Sequence, residues 1–156
     1  MTRIAGVGGI GVQPEPLSVL SLHPVPESAA LARRHFRRLA DGYGLGWPVD
    51  DGVLLVSELV GNAVRHAAAD GPWLIRLEWW RIGHGLRTDV HSPGSPERVR
   101  MRAPEPEATD GRGLLLLDHL ATAWAVEPSP HGGTMVSFLI GEVRPQVNLP
   151  GPRPVS

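Results

Sequence analysis

Glu58, Asn62 and His66 lie four residues apart in the segment SELVGNAVRHA (57–67). Residues so spaced on a helix differ by about 40° around its axis, so the three side chains form one polar row. A carboxylate and a carboxamide one turn apart suit a hydrated Mg²⁺. The amide oxygen can ligate the ion while the acid orients or deprotonates an attacking group. A polar row on an amphipathic helix is also, most simply, its wet face. Asp110-Gly111-Arg112-Gly113-Leu114 leads into another helical segment. Glycines there let backbone N–H groups approach an anion at the positive end of a helix dipole. A Gly-x-Gly also serves as an ordinary turn. His131-Gly132-Gly133-Thr134 falls between two strand signals, where paired glycines commonly make a hairpin turn. Ser92-Pro93-Gly94-Ser95-Pro96 ends a strand and starts a loop.

The pattern of apolar residues predicts the elements that carry these groups. Leu17 to Leu22 reads as a strand. Pro26-Glu27-Ser28 opens a helix of about 27–41, with Ala29, Ala32, Phe36, Leu39 and Ala40 as its buried stripe. Arg33, Arg34, Arg37 and Arg38 cover the rest of its surface, as a solvated face or as a docking surface for an acidic partner. The helix carrying Glu58 begins near Pro48-Val49-Asp50 and runs to about Ala69, on a stripe of Val53, Val56, Val60, Ala63, Val64 and Ala67. Strands follow at 73–81, with Trp73, Ile75, Leu77 and Trp79 on one face, and at 86–91. Residues 92–110 form a loop dense in Pro and Ser. Gly113 to Trp124 reads as a third helix, with Leu114, Leu117, Leu120 and Ala121 buried. A strand near 125–127, the turn SPHGG and a strand at 134–140 complete the chain's regular part. Strands paired as hairpins with helices gathered on one side predict an α+β, two-layer sandwich, its sheet mixed but mostly antiparallel. Residues 1–16 read as a loose arm, 17–142 as the single domain, and 143–156 as a tail interrupted by four prolines.

Composition removes several chemistries. All 15 basic residues among the 156 are arginine, and cysteine is absent. A bias toward arginine codons accounts for the first fact. A Walker-type phosphate loop and a pyridoxal enzyme both need a lysine. A disulfide framework, a cysteine nucleophile and a thiolate metal site need thiols. A net charge of −1 supplies no basic field for nucleic acid or an anionic membrane. No apolar run approaches the ~20 residues of a membrane span, and no signal-peptide core is evident, so the expected location is cytoplasmic. The seven histidines show no close ligand spacing such as HExxH, and most read as surface or satisfied residues.

The four segments, in this order and over about 17–140, resemble the Bergerat-fold (GHKL) ATPases. Within them they resemble the anti-sigma-factor serine kinases and related actinobacterial regulatory ATP-binding proteins. SELVGNAVRHA (57–67) is similar to that family's N box, GRGLLLLDHLATAWAV (111–126) to its second glycine box and following helix, and GGTMVSF (132–138) to its last glycine box and strand. The resemblance implies ATP and Mg²⁺ as ligands. Asn62 would ligate the Mg²⁺ bridging the phosphates, with His66 in the same polar row. Glu58 would be the general base toward an acceptor serine. Gly111 and Gly113, with Leu114 behind them, would let the loop wrap the phosphates, and Arg112 would add a charge-assisted contact. Thr134 would lie at the floor of the adenine pocket, with Ser92 and Gly94 at its side, and 97–110 would be the lid. The implied partners are a STAS-type anti-sigma-factor antagonist bearing the acceptor serine, a sigma factor, and a second copy in a homodimer. Nucleic acid and membrane are not implied.

The sequence departs from that family at one place. An aspartate normally accepts the adenine N6 hydrogen bond at the first glycine box, and by register Ser92 stands there. Asp89 is three residues back, on the opposite face by the strand's period of two. A neutral hydroxyl makes a bond about half as strong as a carboxylate's. Two readings follow: a serine/threonine kinase acting on an antagonist protein, or a non-catalytic module that binds a sigma factor or antagonist without phosphoryl transfer. Ser92→Asp should tighten ATP binding roughly tenfold in isothermal titration, the worth of one charge-assisted bond. Unchanged affinity would mean that the adenine contact lies elsewhere on the strand.

Overall fold

The computed structural model describes residues 13–43, 49–65, 73–94 and 112–141. The elements run β1 (Glu15–Leu22), α1 (Glu27–Gly42), α2 (Val49–Arg65), β2 (Ile75–Ile82), β3 (Gly85–Ser92), α3 (Arg112–Leu120), β4 (Ala123–Pro128) and β5 (Thr134–Ile140). The strands form one five-stranded sheet in the order β1-β2-β3-β5-β4. All four pairings are antiparallel, so the mixed sheet expected from the sequence is antiparallel throughout the described residues. β2–β3 and β4–β5 are hairpins, whereas β1 and β2 are joined through α1 and α2, and β3 and β5 through α3 and β4. That route leaves no parallel crossover.

Strand alternation divides the sheet into two faces. Ile75, Leu77 and Trp79 of β2, Leu86 and Val90 of β3, and Val136, Phe138 and Ile140 of β5 join one core with buried residues of α1, α2 and α3. The opposite face carries a smaller cluster of Ile82, Ala123, Ala125 and Leu139, with Trp80 against it. It also carries a polar ladder: Arg76, Glu78, Arg87, Asp89 and His91. The sheet's edges are blunted by prolines that cannot donate to a ladder. Pro16 adjoins a register shift in β1, and Pro128 ends β4.

α2 is the central helix. It packs on β3 and β5 and touches both α1 and α3. Its buried set is accordingly wider than a single stripe: Leu55 and Leu59 are buried beside Val53, Val56, Val60 and Ala63. A helix with neighbours on three sides needs apolar side chains over a broader arc than one lying on a sheet alone. Asp50 and Asp51 in its first turn and Arg65 in its last both complement the helix dipole. The expected continuation to Ala69 lies outside the described residues.

α3 ends at Leu120, four residues before the expected end at Trp124. Thr122 N–H donates to the Leu139 carbonyl at 2.8 Å, which starts the β4–β5 ladder. Trp124 therefore belongs to β4, where its Nε1–H donates to Asp118 Oδ1 at 3.1 Å. Helical spacing misled here because Leu117, Leu120, Ala121 and Trp124 also fit a helix that turns into a strand. No helix among the described residues is long and apolar enough to cross a membrane.

α1 meets α2 through Phe36, which is fully buried and lies over Gly52. A Cβ at Gly52 would overlap the Phe36 ring. Gly52→Ala should therefore lower stability by about 1–3 kcal/mol through overpacking, despite the ~1 kcal/mol helix-propensity gain. Thermal denaturation reads the change, and a raised Tm would show that Phe36 can move aside without cost.

Candidate functional site

Glu58 and Asn62 lie one turn apart on α2 and are both half-buried. They flank the buried arc rather than standing in open water. The segment before them is anchored to α1, since Arg33 Nη1 donates to Ser57 Oγ at 2.8 Å. Of the arginine cluster on α1, Arg37 also pairs with Asp50, across an exposed gap of 3.2 Å. Such a pair contributes little to stability. The Asn62 amide oxygen is engaged: Arg65, three residues on, donates to it from Nη2. That neighbour is a normal helical one, and it lies beside the polar row of Glu58 and Asn62. An ion ligated by Asn62 would share that oxygen with the Arg65 guanidinium or displace it.

The second part of the site is the end of the β3–β5 pair. Ser92 is directly opposite Thr134, and each lies two residues from a core-facing valine, Val90 and Val136, so both face the helical side. Thr134 is buried and donates from Oγ1 to the Gly94 carbonyl at 2.7 Å, tying the segment after β3 to the start of β5. Gly94, Gly132 and Gly133 have φ values of 103°, 90° and 86°, a region L side chains rarely enter. The β4–β5 turn is closed by Ser129 N–H to the Gly133 carbonyl at 2.9 Å and Gly132 N–H to the Ser129 carbonyl at 3.0 Å. So the paired glycines do make the hairpin turn. Gly133 does more, because a Cβ there would overlap the Ser92 carbonyl oxygen. It lets the turn close onto the end of β3.

α3 supplies the third part. It begins at Arg112, so the backbone of Arg112, Gly113 and Leu114 forms its first turn. Amide groups at such an end point outward and favour an anion. His66, Gly111 and the expected lid at 97–110 lie outside the described residues, as do the side chains of Arg112 and Leu114.

Asp89 lies on the other face of the sheet, buried, accepting from Trp80 Nε1 at 3.1 Å and from Arg87 Nε at 2.7 Å. It is committed to that ladder and is turned away from Ser92. The arrangement on the helical side offers a carboxylate, a carboxamide oxygen, two hydroxyls and a helix N-terminus. These are hard oxygen donors and amide groups, the set that suits Mg²⁺ and phosphate.

The two glycines of the β4–β5 turn should respond differently to substitution. Gly132 has open space around it, so Gly132→Ala should cost only the left-handed backbone, about 1–2 kcal/mol. Gly133→Ala adds the overlap with Ser92 and should cost clearly more. Paired urea denaturation curves measure the difference, and equal losses would show that the turn does not rest on β3.

No curated protein matches this chain. The family model for the histidine kinase-like ATPase domain matches residues 22–140, a span that runs from the end of β1 to the end of β5 and includes every part of the site described above. The antiparallel sheet, the helices on one face, and this match agree: the chain belongs to the histidine kinase-like ATPase family and carries its ATP-binding domain.

Proposed function

We propose that the protein is an ATP-dependent serine/threonine kinase of the anti-sigma-factor kind, transferring the γ-phosphate to a serine of a STAS-type antagonist. The observation that carries this reading is the Glu58–Asn62 pair, half-buried on the helix that covers β3 and β5. A carboxylate so placed can accept a proton, and a carboxamide one turn away can hold a cation. Glu58 takes the proton from the acceptor hydroxyl. The freed oxygen attacks the γ-phosphorus in line as the bond to the bridging oxygen breaks, and ADP leaves. Asn62 is the residue that would hold Mg²⁺, which when bound neutralises phosphate charge. The first turn of α3 donates amides to phosphate, and Ser92 with Thr134 borders the base. A sigma factor as second partner and a homodimer belong to the same proposal and rest on the resemblance alone; a cytoplasmic location is proposed with them, from the sequence's lack of an apolar span or signal-peptide core.

The second reading is a binding module without catalysis. Two observations favour it: Ser92 stands where the resembling family has aspartate, and Arg65 occupies the Asn62 oxygen.

Binding and transfer separate the two readings. Isothermal titration should find Mg-ATP binding that Asn62→Ala abolishes or weakens at least tenfold. Incubation with labelled ATP and the antagonist should label the antagonist. Glu58→Gln should keep ATP binding and lose transfer by ~10²-fold or more, the usual worth of a general base. ATP binding with no transfer by the unaltered protein would establish the module, and no ATP binding would overturn the kinase and leave only the module.

A further inference from the structure

On the sheet face opposite the helices, three donor side chains from three separate segments converge. Glu78 belongs to β2, His91 to β3, and His131 to the β4–β5 turn. His91 Nε2 lies 3.2 Å from Glu78 Oε1, and His131 Nε2 lies 3.5 Å from Glu78 Oε2. The two imidazole rings meet edge-on with centroids 5.0 Å apart. One donor atom from each residue lies within 4.8 Å of the other two.

We propose that Glu78, His91 and His131 form a binding site for one divalent transition-metal ion of the zinc class. The site lies on the other face of the sheet from the nucleotide side. Two imidazoles and one carboxylate are the ligand set of three-coordinate protein zinc sites that leave the fourth position to water. Bonds of about 2.0–2.2 Å in a tetrahedron put neighbouring ligand atoms about 3.3 Å apart. Each imidazole already has about that spacing from Glu78, though at different carboxylate oxygens, so one oxygen serves both after a small turn of the carboxylate. The third pair, His91 with His131, closes by rotation of His131, whose side chain is 48% exposed, while those of Glu78 and His91 are 14% and 4% exposed. Nitrogen donors select zinc, cobalt, nickel or copper over magnesium and calcium.

The surroundings hold the ligands as a metal site requires. Ser129 Oγ lies 2.8 Å from His91 Nδ1. A hydroxyl can donate to that nitrogen or accept from it, so it supports the tautomer that leaves Nε2 free for an ion. Arg76 Nε donates to Glu78 Oε2 at 2.7 Å and fixes the carboxylate, with Oε1 turned to His91. Burial holds His91 below the ordinary imidazole range despite Glu78 beside it, which favours the neutral, ligating ring. Burial works to raise Glu78, but the hydrogen bonds from Arg76 and His91 outweigh it and keep the carboxylate ionised. In the metal-free protein Nε2–H donates to the ionised Glu78; when an ion binds, the neutral ring carries its proton on Nδ1 instead, where Ser129 Oγ accepts it, and Nε2 ligates. Arg76 and Arg87 balance Glu78 and Asp89, so the ion meets no strong net field. It would pin the β4–β5 turn to β2 and β3.

None of the histidines has the short spacing of a helical zinc motif. His91 and His131 are 40 residues apart and meet only because β3 pairs with β5. The test uses the full chain, stripped with a chelator and titrated with Zn²⁺ in an approximately hundredfold excess of Mg²⁺. One equivalent should bind, Tm should rise with free Zn²⁺, and Co²⁺ should give the visible bands of a four-coordinate site. His131→Ala, an exposed turn position, should weaken binding by at least ~10–100-fold, what even an outer-shell partner is worth. His91→Gln should do the same, and His84→Ala should leave binding unchanged. No Zn²⁺ binding, or binding that survives His131→Ala and falls with His84→Ala, would overturn the assignment.

Discussion

The pairing of β3 with β5 is the constraint on which the rest depends. It joins Ser92 to Thr134, Val90 to Val136 and Leu86 to Ile140, bringing together residues more than 40 positions apart. A long return through α3 and β4 has to close before any of these contacts forms. What makes the closure favourable is apolar. Val90, Val136, Phe138 and Ile140 enter the same core that α2 covers, at roughly 25 cal/mol for each Å² of apolar surface removed from water. The glycines at 132 and 133 allow the turn that brings β5 back beside β4, and the absence of a Cβ at 133 lets it rest on Ser92.

One pairing serves two faces. On the helical side it sets the Ser92–Thr134 pair beneath the layer that carries Glu58 and Asn62. On the far side it sets His91 near His131. The period of two keeps these functions apart. Asp89 illustrates the separation: one residue from Val90, it turns away from the core and is held by Trp80 and Arg87. A one-residue slip of β3 would exchange the faces, bury Arg87 and His91 among the helices, and expose Leu86 and Val90. The hydrophobic pattern therefore fixes which residues can meet a nucleotide.

Much of this was legible in the residues. The alternation Ile75–Leu77–Trp79 and the stripe Ala32–Phe36–Ala40 assign faces correctly, because each has one buried side and a clear period. The α+β sandwich and the polar pair Glu58–Asn62 follow from the same patterns. Less legible were features that arise between elements. Leu55 and Leu59 are buried because α2 has three neighbours, which no property of the helix alone announces. The switch from α3 to β4 at Thr122 hides behind leucines and alanines that suit both states. Arg65 was visible at helical distance from Asn62, yet its hold on the amide oxygen depends on a rotamer. The Glu78–His91–His131 cluster depends on register across three segments, so spacing along the chain carries no trace of it.

As proposed, the helical side of this sheet would hold a magnesium nucleotide without any lysine, through an amide oxygen, backbone amides and hydroxyls. A thermal-shift titration of the full chain with Mg-ATP, Mg-ADP and Mg-GTP tests it most directly, since a ligand that binds the folded state raises Tm by mass action. The account predicts a saturable rise with Mg-ATP and Mg-ADP that is smaller with Mg-GTP. Equal flat responses to all three, up to millimolar nucleotide, would contradict it.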